Sequence, residues 1–179
     1  MGKRKTSIDI KKLVYLALLT GVVVVLQFIP IKIGTFELAL SVPVIVIGAA
    51  LLGMGAGTWL GFVFGFVVLL LPGTAAYLSL NTFGTILTVI LKGALAGFTA
   101  ALVYKLLIKL NRYAAVLVAA LVATVVNTGV FLVGSLLFFG GDIAFVINVL
   151  ISINFLIELV VNIVLVPTVY RVINIKKKV

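Results

Sequence analysis

The stretch LTVILKGALAG, residues 87–97, sets a single lysine, Lys92, in a run that is otherwise apolar. An ammonium group there costs free energy unless something answers it, and where the surroundings are lipid such a residue marks function by default. The composition says that they are lipid. The chain has 179 residues, 64% hydrophobic and only 10% charged, whereas soluble domains carry roughly a quarter charged residues. Runs of about 20 apolar residues are expected where the solvent is hydrocarbon. Six spans of about 22 residues would use most of the chain, leaving short loops and no room for a second domain. The expectation is an all-α membrane protein, a six-transmembrane-helix bundle forming one integral membrane domain over residues 1–179.

Outward from Lys92, breaks in apolarity place the spans at about 13–29, 39–54, 56–71, 83–107, 114–139 and 144–170. Pro30 and Gly34 close the first, and Gly53, Gly55 and Gly57 make the next connection very tight. PGTAAYLSLNT (72–82) reads as an uncharged loop, KLNRY (109–113) as a short basic one and FGGD (139–142) as a short loop with one acid. The start, MGKRKTSIDIKK and then LVYLALLTGVVVVLQFIP, looks like a signal peptide, but its apolar run is too long and no small-residue cleavage pattern follows. It reads as a retained first helix. The runs are continuous rather than alternating, which excludes a β-barrel.

With the N-terminus inside, the inner segments hold Lys3, Arg4, Lys5, Lys11 and Lys12, then Lys105, Lys109 and Arg112, then Arg171 and Lys176 to Lys178; the outer loops hold Lys32 alone. This asymmetry predicts both termini in the cytoplasm of a plasma-membrane protein. It also accounts for the net charge of +10: the basic residues sit at span ends, where anionic headgroups lie, so the lipid bilayer rather than nucleic acid is the expected partner.

Several chemistries are ruled out. The chain has no cysteine and no histidine, which removes disulfides, thiolates and the commonest metal ligand. No GxxxxGK[ST] phosphate loop is present, and no nucleophile–base–orienter set can be assembled. Neither an enzyme nor a cofactor held by this chain is expected.

The informative side chains are the few polar ones inside spans: Gln27, Lys92, Asn127, Asn148, Asn154, Glu158 and Asn162. Helical rise puts Lys92, Asn127 and Asn154 roughly 14, 18 and 15 Å below the outer surface, in one layer, with Asn148 shallower. Asn154, Glu158 and Asn162 follow i, i+4, i+8 spacing and line one helix face, which should turn into the bundle. An outward-opening polar pocket is expected, with Lys92, Asn127, Asn148, Asn154 and Glu158 as substrate-binding candidates, joined by Asn81 from the 72–82 loop. Two partners for Lys92 stay open: Glu158, or the carboxylate or phosphate of a bound small molecule.

Gly53, Gly57, Gly61 and Gly65 recur every four residues, and Gly93 and Gly97 form a second pair. Small residues let helices approach closely in lipid. The stripe is either packing within the bundle or a docking face, with Gly57 and Gly61 against another membrane subunit.

VVLQFIPIKIGTFELALSVPVIVIGAALLGMGAGTWLGFVFG, ILKGALAG and VVNTGVFL together resemble the second to fifth helical regions of the substrate-binding S components of energy-coupling factor (ECF) vitamin transporters. The resemblance spans most of the chain, on motifs of glycine, proline and hydrophobes. It implies a vitamin-binding subunit that rotates in the membrane against a transmembrane coupling subunit, the T component, driven by two ATPase subunits. In that family a small-residue AxxxA motif on helix one contacts the coupling subunit; Ala17 and Gly21 match it here, with glycine departing from the second alanine. The loop between helices one and two acts as a gate, which would be IKIGTFEL (31–38), adding Phe36 to the candidate site.

A lysine with nearby asparagines suits a small carboxylate-bearing vitamin, and pantothenate fits. The few aromatics near the pocket, Trp59, Tyr77 and Phe36 among them, disfavour a large flat ring. Pyridoxine, hydroxymethylpyrimidine, cobalamin or riboflavin are alternatives on the same scaffold. A stand-alone proton-coupled carrier using Glu158, and a purely structural membrane subunit, are the competing classes.

Overall fold

A computed structural model describes residues 10–29, 32–33, 36–37, 40–142, 148 and 153–175. Its elements are α1 (Ile10–Gln27), a two-residue antiparallel ladder of β1 (Lys32–Ile33) with β2 (Phe36–Glu37), α2 (Ser41–Leu52), α3 (Met54–Leu69), a 3-10 turn (Pro72–Thr74), α4 (Ala75–Leu80), α5 (Thr82–Leu107), α6 (Arg112–Phe138) and α7 (Ile153–Ile175). The helical expectation holds. By length and apolarity α1, α5 and α6 can each cross a membrane, and α3 with its bent continuation makes a fourth.

The breaks have local causes. Gly53 alone separates α2 from α3; its φ of 94° is a left-handed conformation that glycine adopts without a Cβ clash. Pro72 lacks the N–H that would continue α3, and the chain turns by 77° into α4. This corrects the expected loop at 72–82: AAYLSL is made of competent helix formers once the proline has reset the chain. Asn81 starts α5 by accepting the Gly84 N–H at 2.8 Å, and Asn111 starts α6 by accepting those of Tyr113 and Ala114. At 12 residues, α2 is about 18 Å long, shorter than the expected second span.

The glycine stripe is spent inside the chain. Cβ atoms added at Gly57 and Gly61 would strike the backbone carbonyls of Gly97 and Gly93, and one at Gly65 would meet that of Val89. α3 and α5 therefore run antiparallel in backbone contact, a packing that gains dispersion and Cα–H···O attraction in lipid. Both Gly57 and Gly61 are buried, so the expectation that they contact another subunit is corrected: α5 occupies that face. Gly61→Val should lower the thermal midpoint of the purified protein, at a cost of about 1–3 kcal/mol for overpacking. Gly55→Val, where nothing lies within 4 Å, should leave it unchanged.

Alanines continue the close packing between α5 and α6: Ala96, Ala100, Ala115, Ala119 and Ala123 join Val42, Val46 and Val166 in the main core. A second cluster, Val23, Ile45, Leu60 and Phe64, ties α1, α2 and α3 together. Between α1 and α2, Gln27 donates to the Ser41 hydroxyl at 2.6 Å, and Ser41 donates to the Val23 carbonyl. The rest of α1 is largely exposed. Leu13, Val14, Ala17, Leu18, Gly21, Val22 and Val25 face outward, and a Cβ at Gly21 would meet nothing within 4 Å.

One end of the bundle is closed by aromatics. The Tyr104 hydroxyl of α5 hydrogen-bonds that of Tyr170 in α7, and the Tyr113 ring meets Tyr170 edge-on at 6.3 Å. The opposite end carries α4.

Candidate functional site

The glycine seam holds Lys92 between three helices. Its Nζ lies 5.2 Å from the Phe131 ring centroid on α6 and 5.7 Å from that of Phe64 on α3. Ring faces carry partial negative charge and attract an ammonium by about 0.5–2 kcal/mol. Withdrawing an ion from water costs several kcal/mol, so the rings offset only part of the loss. Among the described residues no carboxylate oxygen lies within 4.0 Å of Nζ. Glu158 on α7 feels the lysine's charge at longer range. Of the two partners left open, the contact ion pair is not made.

Two packing registers sort the polar residues by depth. Gly84 packs on Phe138, and Gly134 on Thr88, which sets Lys92 level with Phe131 and leaves Asn127 about one turn, or 5 Å, nearer the tyrosine end. Between α6 and α7, Asn162 Nδ2 donates to Thr124 Oγ1 at 3.0 Å and to the Glu158 backbone carbonyl at 2.9 Å. One turn back along that antiparallel pair, Glu158 comes level with Thr128, beside Asn127. Depths counted from helix ends had put Asn127 with Lys92; the packing puts it with Glu158, because side-chain interlock fixes the register.

These deeper residues, Asn162 about one turn below Glu158, are buried: Asn127 is 6% exposed, Glu158 8% and Asn162 0%. Three of their acceptors have no hydrogen-bond partner: Asn127 Oδ1, Glu158 Oε1 and Asn162 Oδ1. Each such group costs about 1–3 kcal/mol. Thr124 contributes no donor to them, since its hydroxyl bonds the Ala120 carbonyl at 3.0 Å.

At the α4 end a cavity of about 300 Å³ is lined by Tyr77, Leu80, Ser135, Phe139, Gly141 and Asp142, among others. The Tyr77 ring packs edge-on against Phe131 at 5.7 Å and tilted against Phe139 at 5.2 Å. Phe131 thus touches both the wall of this cavity and the lysine.

Of the expected residues, Asn127 and Glu158 are buried and Lys92 lies between Phe64 and Phe131. The oxygen of Asn81 is committed to the start of α5, which gives that residue a structural task. Asn148 is helical and exposed. Asn154 lies on α7 and Phe36 on β2, but their side chains are outside the described residues. Tyr77, expected near the pocket, lines the cavity at the α4 end; Phe64 and Phe131 are the additions. In a sequence where nearly every position is apolar, nothing distinguished them; only the register does.

These features define a helical membrane protein with a charged, partly unsatisfied polar interior. The chain belongs to the substrate-specific component family of ECF transporters, whose family model matches residues 11–170. No curated protein and no solved structure matches it. Members of this family bind a transported substrate of vitamin type and are not enzymes.

Proposed function

We propose that this chain is the high-affinity binding subunit of an ATP-driven ECF importer and that its substrate is pantothenate. The carrying observation is Lys92, held inside the bundle by two phenylalanine rings with no carboxylate of the described residues within 4.0 Å. A substrate carboxylate supplies the missing counter-charge. Asn127, Asn154 and Glu158 read the rest of the molecule, with Asn148 and Phe36 also contributing to its binding. Six spans then place both termini in the cytoplasm, and residues 1–179 act as one domain in the plasma membrane. The outward face of α1 around Ala17 and Gly21 receives the T component, which two ATPase subunits drive; the chain itself holds no cofactor.

The test is purification from native membranes, extraction and mass spectrometry. Pantothenate, near one molecule per chain, is the expected result. A protein that carries no vitamin and binds none contradicts the proposal.

The buried Glu158 carboxylate, whose Oε1 has no hydrogen-bond partner, favours a second reading, a proton-coupled carrier. It requires uptake into vesicles containing this chain alone, driven by a proton gradient and abolished by Glu158→Gln. The subunit reading requires uptake to depend on the ATPases.

A further inference from the structure

Among the described residues, the fully buried side-chain atoms without a hydrogen-bond partner are all oxygens. Asn127 Oδ1, Glu158 Oε1 and Asn162 Oδ1 all accept hydrogen bonds, all are more than nine-tenths buried, and none has a donor. The nitrogen of Asn162 is already used twice, on Thr124 and on the Glu158 carbonyl, so the amide cannot turn over without losing both bonds. About one turn nearer α4, the only interior cation among the described residues, Lys92, offers donors and no acceptor. Lys92 and the acceptors below it therefore pose opposite demands along one axis.

We infer that the bound molecule is two-ended: its acid group lies toward α4 on Lys92, and its opposite end carries O–H or N–H donors that meet the acceptors of α6 and α7. This rests on the substrate-binding role proposed above and adds the substrate's polarity and direction. Glu158 gives the arrangement selectivity. A second acid at the far end would face a carboxylate, so molecules acidic at both ends are rejected. A molecule without far-end donors would leave buried acceptors unpaired, the situation in which binding sites discriminate most strongly.

The test uses pantothenate, whose hydroxyls lie opposite its carboxylate, and its di-O-methyl ether, which keeps the oxygens and the amide N–H and loses the two hydroxyl donors at the far end. Titration calorimetry is run on the full chain in detergent and on Asn127→Leu and Glu158→Met, which remove an acceptor each. The native protein should bind the ether at least about tenfold more weakly, the effect of one lost hydrogen bond to a charged group. In each variant that gap should shrink to about threefold or less. An equal gap in native and variant proteins means that methyl bulk alone is responsible and overturns the inference while leaving the subunit role intact. If neither variant folds, the native ratio decides, and equal affinities overturn the inference. If pantothenate does not bind, the substrate choice fails separately, and the molecule extracted from the native protein is read instead. An acid at one end and donors at the other uphold the inference; acids at both ends, or no far-end donor, overturn it. A chain that neither carries nor binds any small molecule removes the subunit role and this inference with it.

Discussion

Replacing Lys92 with methionine is expected to weaken pantothenate binding by about ten- to a hundredfold, the value of a hydrogen bond to a charged group at about 1.5–3 kcal/mol. Methionine has nearly the length of the lysine stem and packs well on aromatic rings, so Phe64 and Phe131 keep a neighbour. The loss should be specific to the acid. Pantothenol, in which the carboxylate becomes a hydroxymethyl group, should bind the native and methionine proteins within about threefold of each other, since it has no charge for the ammonium to meet. Titration of both compounds on both proteins checks this. Equal losses for both compounds would show that the lysine supports the bundle rather than the ligand.

The second large effect should appear only in the assembled transporter. Leucine in place of Gly21 meets no atom within 4 Å of the added Cβ, and Ala17 is equally exposed. Ala17→Leu with Gly21→Leu should therefore leave the fold and vitamin binding of the isolated chain unchanged. A coupling helix that must approach the backbone of α1 would be held off by the added bulk, and ATP-driven uptake should fall by at least about tenfold, since lost close packing costs more than 1.4 kcal/mol. Vesicle uptake and ligand binding, measured on the same preparation, separate the two. Unchanged uptake would place the coupling contact elsewhere.

Much of the fold was legible because lipid imposes few solutions. Uninterrupted apolar runs had to be helices, and Gly53, Asn81 and Asn111 punctuate them as residues of their type do. The segment after Pro72 was not legible: with no charge and a proline at its start it reads as a loop, and only the structure shows AAYLSL rewinding as α4. The destination of the glycine stripe was equally hidden. Four-residue spacing reports a bare face, and what covers it depends on which helix lies alongside. The same holds at the site. Lys92, Asn127 and Glu158 stood out by chemistry, but Phe64 and Phe131 became partners of the lysine only through the register of α3, α5 and α6.

The tyrosine closure between α5, α6 and α7 bears on how cargo departs. Below the acceptor layer come the bonded hydroxyls of Tyr104 and Tyr170, the edge of Tyr113 and an alanine seam with little slack. Draining the chamber through this base would mean prying three long rods apart. At the other end, among the described residues, the short α4 and the Tyr77 contacts with Phe131 and Phe139 are all that would have to give. The glycine-to-backbone spine between α3 and α5 leaves those two helices no room to part, so they can shift only as one unit.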